Sequence, residues 1–355
     1  MADVDSLNQQ FSRFDQVRKS HTYRLAESES DEFDEDYEIA TLDFGSFLHG
    51  DEGDKERFAK AFAGALEEIG FAVLIGHGVD PSLYDGVEKL THELFTSTSL
   101  AERMRFRAER FGSVNQGYFP IEETSEIHPD LVEGWVWCRR AFDIAQSRGA
   151  PFHPQDYWPN AGYERRLRPL VLAHERLFQP IAQAMLQGLG CDSHLLDEKL
   201  TETNFGLRVN HYPPMNDEQD RSGAARLLGH EDVDLFTILP ATRSEGLQVW
   251  NHRSGKWVRM KALPGSIIIN TGDYMQRMSN DRLPSTTHRV GKPSDGSHLT
   301  SARVSFPMAV YVWEDEILEV LPGLGKSKYE PIKAIAFHTR STSKFYGEGY
   351  AVETA

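Results

Sequence analysis

The run FGLRVNHYP at residues 205–213 opens the part of the sequence that decides the fold. Six further β-rich runs follow it: DLFTILP (234–240), GLQVWN (246–251), KWVRMKAL (256–263), GSIIINTGD (265–273), STTHRV (285–290) and ARVSFPMAVYVW (302–313). Gly, Pro, Asn, Asp and Ser separate these runs, a pattern typical of an antiparallel sandwich or jelly roll. We therefore expect a β-core that begins near residue 204.

A region with helical spacing precedes this core. The segment DKERFAKAFAGALEEIG (54–70) predicts an amphipathic helix capped by Gly70, and PSLYDGVEKLTHELFTS (81–97) predicts a helix that begins with a proline. The first helix is expected to bury one face: Phe58, Phe62, Ala65, Leu66 and Ile69. Short strands are predicted at IATLDF (39–44) and FAVLIGHG (71–78). Residues 162–189 predict a long helix in which Pro180 is a site for a kink.

The sequence divides into four parts. They are an acidic, mobile leader (1–38), an N-terminal α/β region (39–203), the jelly-roll core (204–320) and a C-terminal segment that packs on the core (321–355). The leader is predicted because AESESDEFDEDYE, at the end of it, holds eight acidic side chains and little to bury. In the last part, YEPIKAIAFHTRSTSKFYGEGY is read as a packed helix, with a lid or a dimer contact as alternatives.

Composition excludes several classes of function. The chain has 355 residues, a net charge of −16 and no apolar run near the roughly 20 residues that cross a bilayer. We therefore expect no membrane segment, and the acidic balance disfavours nucleic acid as a partner. Two cysteines, Cys138 and Cys191, cannot form a disulfide framework, and the first residues lack the apolar stretch of a secretory signal. A cytoplasmic protein is expected.

Two polar side chains at the start of one run give the first functional signal. In LGHEDVDLF (228–236), an extended chain would point His230 and Asp232 to one face and Glu231 to the other. A distant run, STTHRV, offers His288. Two histidines and one carboxylate on one face form a facial triad, which binds Fe(II) and leaves coordination positions open. A structural zinc site would close all four positions, usually with cysteines.

Other histidines fit the ligand interpretation less well. His128 and Asp130 repeat the spacing, but Pro129 between them, in an acidic stretch, predicts a surface turn. His77 lies at a strand end and is expected to be a packed core or cap residue. Strand alternation turns His211 away from its neighbours, so we expect it to face outward or to support the site from behind.

A second pair of residues is suited to bind a carboxylate. Arg303 and Ser305 are two apart on a predicted strand and therefore share a face. A guanidinium beside a hydroxyl forms a fork of donors for a carboxylate group. An exposed strand arginine is the alternative interpretation of this pair alone.

Longer segments add a resemblance to a known family. The chain resembles the iron(II)- and 2-oxoglutarate-dependent dioxygenases of the isopenicillin N synthase-like group. The similar segments, in family order from Ile39 to past Trp313, are IATLDF, EEIGFAVLIGHGV, LRVNHYPP, GHEDVDLFTIL, GLQVWNHRSGKWVRMKALPGSIIINTGD, SNDRLPSTTHRV and RVSFPMAVY. The fold that the resemblance implies is mainly β with α, a double-stranded β-helix or jelly roll extended by N-terminal helices.

The resemblance also implies roles for individual residues. Three are implied to bind Fe(II): His230, Asp232 and His288. Four are implied to hold 2-oxoglutarate: Arg303, Ser305, Tyr212 and Asn210. With dioxygen as the third reactant, decarboxylation of 2-oxoglutarate to succinate would drive oxidation of a substrate C–H bond. No side chain then needs to act as a general acid or base.

The resemblance implies a small organic substrate from specialised metabolism, with hydroxylation as the default outcome and desaturation, cyclisation or epoxidation as alternatives. Tyr118 and Phe306 are candidates for substrate contact, and each fits an ordinary core residue equally well. Two rival functions remain open: an iron oxidase on the same fold that does not use 2-oxoglutarate, and a non-catalytic jelly-roll binding protein. No feature predicts the oligomeric state.

Two features depart from the family pattern. His211 replaces the tyrosine usual at the middle of the Asn-Tyr-Tyr-Pro motif. The stretch GKPSDGSHLTSA (291–302) predicts a longer loop between His288 and Arg303. Neither change removes an implied ligand or the carboxylate anchor.

Overall fold

A computed structural model of the protein describes residues 12–19, 32–121, 131–146, 148, 151–214, 226–291 and 301–352. Its α-helices are α1 (Gly45–His49), α2 (Glu52–Ile69), α3 (Pro81–Ser97), α4 (Leu100–Met104), α5 (Ala161–Gly188), α6 (Asp197–Leu200), α7 (Asp273–Met278) and α8 (Ala334–Tyr346). Short 3-10 helices lie at Arg139–Ala141, Pro154–Asp156 and Glu348–Tyr350. The predicted helices over 54–70, 81–97 and 162–189 are confirmed, and α5 runs as one helix through Pro169 and Pro180.

Local sequence sets both ends of α2. The Asp51 side chain accepts a hydrogen bond from the Asp54 backbone N–H, and the Asp54 side chain accepts one from the Asp51 backbone, which forms a capping box. Gly70 ends the helix in the left-handed conformation, with a φ of 73°. A Cβ atom at Gly70 would lie 2.6 Å from the Pro284 carbonyl oxygen and from Thr286 Oγ1. The glycine therefore lets this helix end lie close to the segment that leads to His288.

A larger sheet of ten strands forms the main layer. Its strands are β1 (Thr41–Asp43), β2 (Phe71–Ile75), β3 (Glu109–Phe111), β4 (Val114–Phe119), β5 (Glu133–Cys138), β6 (Phe205–Tyr212), β8 (Phe236–Pro240), β11 (Ile267–Thr271), β13 (Arg303–Ser305) and β14 (Met308–Val310). The order is β1-β2-β11-β8-β14-β6-β5-β4-β3, and β13 also pairs with β6. Helices α2 and α3 each pack against α5, and all three share the largest apolar core with this sheet.

A smaller sheet faces the larger one. It has the order β10-β9-β12-β7, with strands β7 (Leu227–His230), β9 (Leu247–Asn251), β10 (Lys256–Arg259) and β12 (His288–Val290). A second apolar cluster lies between the sheets and includes Phe71, Val73 and Ile268 from one side and Val249 and Val258 from the other. Two facing, mainly antiparallel sheets with flanking helices confirm the predicted jelly-roll class. Two further short strands, β15 (Ile317–Leu318) and β16 (Ile332–Lys333), pair with each other before α8.

The predicted mobile leader is in contact with the core wherever the structure describes it. Val17 is 5% exposed, and the Gln16 side-chain amide donates to the Phe337 carbonyl oxygen at 2.6 Å. The Asp34 backbone N–H donates to the Trp257 carbonyl oxygen at 2.8 Å. These contacts depend on a few isolated side chains and on backbone groups, which the acidic composition of the segment does not reveal. In the described part of the chain, no helix combines the length and apolarity that a bilayer crossing needs.

Candidate metal centre and adjoining cavity

The structure brings the three predicted metal ligands together at one end of the smaller sheet. His230 ends β7 and is the cross-strand partner of His288, which begins β12. Asp232 follows two residues later, and its Oδ1 atom lies 3.9 Å from the Nε2 atom of each histidine. One ligand atom from each residue lies within 4.8 Å of the others. Three such atoms at this spacing can contact one ion.

Hydrogen bonds fix which atom each of these residues presents. The Nδ1 atom of His230 lies 2.9 Å from the Leu228 carbonyl oxygen, and the Nδ1 atom of His288 lies 3.0 Å from that of Thr286. Because a carbonyl only accepts, each Nδ1 carries the proton and each Nε2 carries a lone pair. Asp232 Oδ2 accepts from other side chains, and Oδ1 is left to face the two Nε2 atoms.

The charge states suit metal binding. Burial, with repulsion from His288, lowers the pKa of His230 to about 4, so its imidazole is neutral near pH 7. Burial opposes ionisation of Asp232, but the two histidines and hydrogen bonds from Thr237 and Asn270 outweigh it and hold its pKa below the usual range. A neutral imidazole at His230 and an ionised carboxylate at Asp232 are the forms of these groups that bind a metal.

Thr237→Val should weaken Fe(II) binding roughly 10- to 100-fold, because Thr237 Oγ1 donates to Asp232 Oδ2 at 2.6 Å and holds the carboxylate in place. The dissociation constant from anaerobic Fe(II) titration measures this effect. Thr91→Val is the matched control, since Thr91 is equally buried but bonds within α3 to the Val87 carbonyl oxygen. Equal Fe(II) affinity in the two variants would contradict an orienting role for Thr237.

Glu231, between two of the ligand residues, belongs to a separate buried ionic cluster. Its carboxylate accepts a hydrogen bond from Thr287, and it lies 3.6 Å from Lys344 Nζ and 4.0 Å from Lys19 Nζ. Lys19 also pairs with Asp273. The predicted alternation is confirmed, because the Glu231 side chain makes its contacts away from the candidate ligands. The cluster ties the N-terminal segment and α8 to the segment that carries His230 and Asp232.

Lys344→Met should lower the free energy of unfolding near pH 7 by about 1–3 kcal/mol. The loss is smaller than for a buried carboxylate left with no partner, because Lys19 remains near Glu231. Burial alone would raise the pKa of Glu231. The two lysines and the Thr287 hydrogen bond outweigh burial and lower the pKa to about 2. A carboxylate with a depressed pKa stabilises the fold above its unfolded value and loses that contribution as the pH falls. The difference from wild type should therefore shrink towards pH 2. Urea unfolding at several pH values measures it, with exposed Lys333→Met as control.

A buried cation lies at the edge of the cavity. Arg303 and Ser305 on β13 pair with Tyr212 and Asn210 on β6, and all four residues are buried. Asn210 Nδ2 donates to Ser305 Oγ at 3.2 Å. The Arg303 guanidinium lies 4.8 Å from the centre of the Tyr212 ring.

Among the described residues, no carboxylate pairs with the Arg303 guanidinium. Its Nε and Nη1 atoms are buried with no hydrogen-bond partner in the described residues, and Nη2 reaches only Thr242 Oγ1 at 3.4 Å. Burial lowers the pKa of this group, yet an arginine stays protonated in proteins. A buried charge without a partner is costly, so these atoms are placed to receive an anion.

A cavity of about 300 Å³ joins the candidate ligands to Arg303, a size typical of small-molecule sites. Apart from the residues already described, its walls include Phe71, Val114, Asn115, Phe119, Val136, Arg208, Leu239, Pro307, Ala309, Tyr311, His338, Thr342, Phe345, Tyr346 and Tyr350. The predicted C-terminal helix is thus a packed helix, and its inner face also forms a wall of the cavity.

The two residues predicted to contact substrate, Tyr118 and Phe306, are not among the residues that line this cavity, and their contact with substrate stays a prediction. Tyr118 is buried in the core, where its hydroxyl donates to Glu133 Oε2 at 2.7 Å. Its strand neighbour Phe119 lines the cavity instead, because adjacent side chains on a strand face opposite ways. Phe306 packs against Tyr84, with ring centres 6.2 Å apart.

The remaining histidines are placed as follows. His211 does not face outward: it stacks on Phe95 and hydrogen-bonds Glu133 Oε1 at 3.1 Å on the side of β6 away from the cavity. His77 is a cap residue as predicted, since its Nδ1 accepts from the Val79 N–H at 3.2 Å. His128, Asp130 and most of the predicted loop over 291–302 lie outside the described residues.

Sequence reasoning missed the residues that orient Asp232. Asn270 ends the apolar run of β11, and its side-chain amide donates to Asp232 Oδ2 at 2.8 Å. A single polar residue at the end of a buried apolar strand is the signal that could have identified it. Thr237 is likewise a polar residue within the apolar run of β8.

Comparison with known proteins agrees with this geometry. The sequence profile of the 2OG-Fe(II) oxygenase superfamily matches residues 203–310, and that of the non-haem dioxygenase in morphine synthesis N-terminal region matches residues 39–161. The chain belongs to the 2OG-Fe(II) oxygenase superfamily. It is therefore an oxidoreductase of the class that uses Fe(II), 2-oxoglutarate and dioxygen, as the resemblance implied.

Individual relatives have low sequence identity to this chain, but each aligns with most of it. A feruloyl CoA ortho-hydroxylase of Arabidopsis thaliana is 25% identical over 322 residues, 89% of this chain and 81% of the relative. Isopenicillin N synthase of Streptomyces griseus is 25% identical over 299 residues, 79% of this chain and 86% of the relative. The crystal structure of a full-length Neurospora crassa protein in complex with alpha-KG superposes with a TM-score of 0.75 at 24% identity, covering 88% of this chain and 98% of that one.

The residues present fit the reactants of this superfamily. Two imidazole nitrogens and one carboxylate oxygen form the donor set typical of non-haem Fe(II) sites. The buried Arg303 nitrogens without partners fit a dicarboxylate such as 2-oxoglutarate. With both bound, the metal supplies oxidative decarboxylation coupled to substrate oxidation. The protein's contribution is to position the reactants and to exclude water from an apolar cavity.

Proposed function

We propose that the protein binds one Fe(II) through His230, Asp232 and His288 and uses 2-oxoglutarate and dioxygen to oxidise a C–H bond of a small organic molecule, in the biosynthesis of a specialised metabolite. The observation that carries the proposal is the triad itself, with three ligand atoms facing one point at the edge of a cavity. The ligands occupy one side of that point, which leaves the cavity side for the reactants.

The cosubstrate assignment rests on Arg303. We infer that its fork of nitrogens and the Ser305 hydroxyl bind the far carboxylate of 2-oxoglutarate, with Tyr212 and Asn210 holding Ser305 in place. The protein's buried cation then gains the counter-charge that the described residues do not provide. Hydroxylation is the default reaction in this proposal.

Small-molecule substrates are supported by the size of the cavity and by the names of the relatives. The cavity of about 300 Å³ cannot admit a folded protein or a duplex. Feruloyl CoA and isopenicillin N, which appear in the names of two relatives, are both small organic molecules.

The test is an anaerobic screen of small-molecule metabolites for a change in the absorption band of the Fe(II)–2-oxoglutarate complex, followed by mass analysis after oxygen is admitted. A substrate should gain one oxygen or lose two hydrogens, with one succinate formed per turnover. Product without succinate would identify an iron oxidase that does not use 2-oxoglutarate. Coupled turnover of only peptides or nucleic acids would contradict the small-molecule proposal.

A further inference from the structure

The cavity contains a second arginine, Arg208, which is linked to the cosubstrate site by a hydrogen bond to Asn210. Arg208, Asn210 and Tyr212 alternate along β6 and so face the same way. Arg303 lies opposite Tyr212 in the sheet, whereas the Arg208 backbone N–H donates to the Pro307 carbonyl oxygen at 2.9 Å. At about 3.3 Å per residue, Arg208 lies about 13 Å along the strand from the Arg303 end. The two arginines therefore leave the sheet at separate positions along one wall.

Arg208 is held in place by only part of its guanidinium. Its Nε atom donates to Asn210 Oδ1 at 2.7 Å, and its guanidinium carbon lies 5.5 Å from the centre of the Phe119 ring. A Cβ atom at Gly134 would lie 3.1 Å from both the Arg208 Nε and the Asn210 Oδ1 atoms, so the glycine leaves room for this pair. Nη1 and Nη2 have no hydrogen-bond partner, and no carboxylate pairs with them, within the described residues.

Part of the wall beside Arg208 is apolar. Nearby lining residues on β4, β5 and the strand that follows Pro307 include Phe119, Val136 and Ala309. His338, from α8, is neutral because burial lowers its pKa to about 3. A guanidinium in an apolar cavity, with two free nitrogens in a planar fork, is complementary to one carboxylate group.

We propose that Arg208 binds a carboxylate of the organic substrate, so that the protein acts on a small monocarboxylic acid whose apolar body lies against the aromatic wall of the cavity. The inference rests on the proposed function and specifies its substrate class. A single guanidinium neutralises one negative charge, which favours a carboxylate over a doubly charged phosphate. The two arginines give 2-oxoglutarate and the acid separate anchors on the wall of the cavity.

The test compares acids with their neutral isosteres. The holoenzyme with Fe(II) and 2-oxoglutarate is titrated without oxygen with a panel of small aromatic and alicyclic acids, among them cinnamate and 3-phenylpropanoate, each paired with its primary amide. The change in the Fe(II)–2-oxoglutarate absorption band reports binding. The acids that bind should bind on the order of ten- to hundredfold more tightly than their amides, as expected for the loss of charge-assisted hydrogen bonds.

Variants assign the preference to Arg208. Arg208→Gln should remove the acid preference and leave the 2-oxoglutarate affinity unchanged. Arg208→Lys should keep part of the acid preference. Arg243→Gln, at a largely exposed arginine, is the control and should behave as wild type. No acid preference anywhere in the panel would overturn the proposal. A weaker 2-oxoglutarate affinity in Arg208→Gln, with the acid preference intact, would also overturn it. Failure of the wild type to form the absorption band at all would instead contradict the proposed function.

Discussion

Asp232→Ala is expected to abolish turnover and to weaken Fe(II) binding. Loss of a residue that only hydrogen-bonds a metal ligand weakens metal binding roughly 10- to 100-fold, and loss of the ligand itself should weaken it more. The variant removes the only carboxylate of the triad and leaves two imidazoles, which carry no negative charge to attract a divalent cation. Anaerobic titration with Fe(II), monitored by metal retained per chain, measures the change from one ion in the wild type.

Asp85→Ala serves as the control for this variant, because Asp85 is a largely exposed carboxylate paired with Arg243 at the surface. Circular dichroism of both variants checks that the fold is kept. If Asp232→Ala binds Fe(II) as tightly as wild type while folded, the assignment of the triad is wrong.

Arg303→Leu is expected to raise the dissociation constant for 2-oxoglutarate on the order of ten- to hundredfold, because a charge-assisted pair of hydrogen bonds is lost. Fe(II) binding should be unchanged, since Arg303 contacts none of the three candidate ligands in the described structure. The measurement is the titration of the anaerobic Fe(II) protein with 2-oxoglutarate.

The same variant has an informative effect on stability. A merely structural arginine would destabilise the protein when replaced, but the buried Arg303 nitrogens Nε and Nη1 have no partner in the part of the chain that the structure describes. Removing an uncompensated buried charge should leave the apoprotein at least as stable as wild type. Arg243→Leu, at an exposed site, is the control. An unchanged 2-oxoglutarate affinity in Arg303→Leu would contradict the cosubstrate site and favour an oxidase that does not use 2-oxoglutarate.

Much of the fold follows from local patterns in the sequence. Helix α2 begins at a capping box and ends at Gly70, and the runs after residue 204 form the smaller sheet and strands β6, β8, β11, β13 and β14 of the larger one. The pairing of His230 with His288 could be expected only from the chemistry of the residues, because cross-strand register depends on contacts between distant segments.

Contacts between distant segments explain what the sequence did not predict. The burial of Lys19 and Lys344 around Glu231 requires both ends of the chain to meet at one strand, and no local pattern indicates this. Tyr118 and Phe119 differ only by the alternation of one strand, so choosing the cavity-facing residue needed the exact register of β4. Arg208 lies within the segment LRVNHYPP, but only the three-dimensional structure shows that no carboxylate of the described residues pairs with it.

The most direct test of 2-oxoglutarate-dependent oxygenase activity is the conversion of 2-oxoglutarate to succinate by the purified protein with Fe(II) and oxygen, measured together with oxygen consumption. We expect one succinate per dioxygen, dependence on Fe(II), and loss of the reaction in Asp232→Ala. In Arg303→Leu the reaction should require a higher 2-oxoglutarate concentration. Consumption of oxygen by the Fe(II) protein without succinate, or succinate formation at the wild-type rate by Asp232→Ala, would contradict the proposed activity.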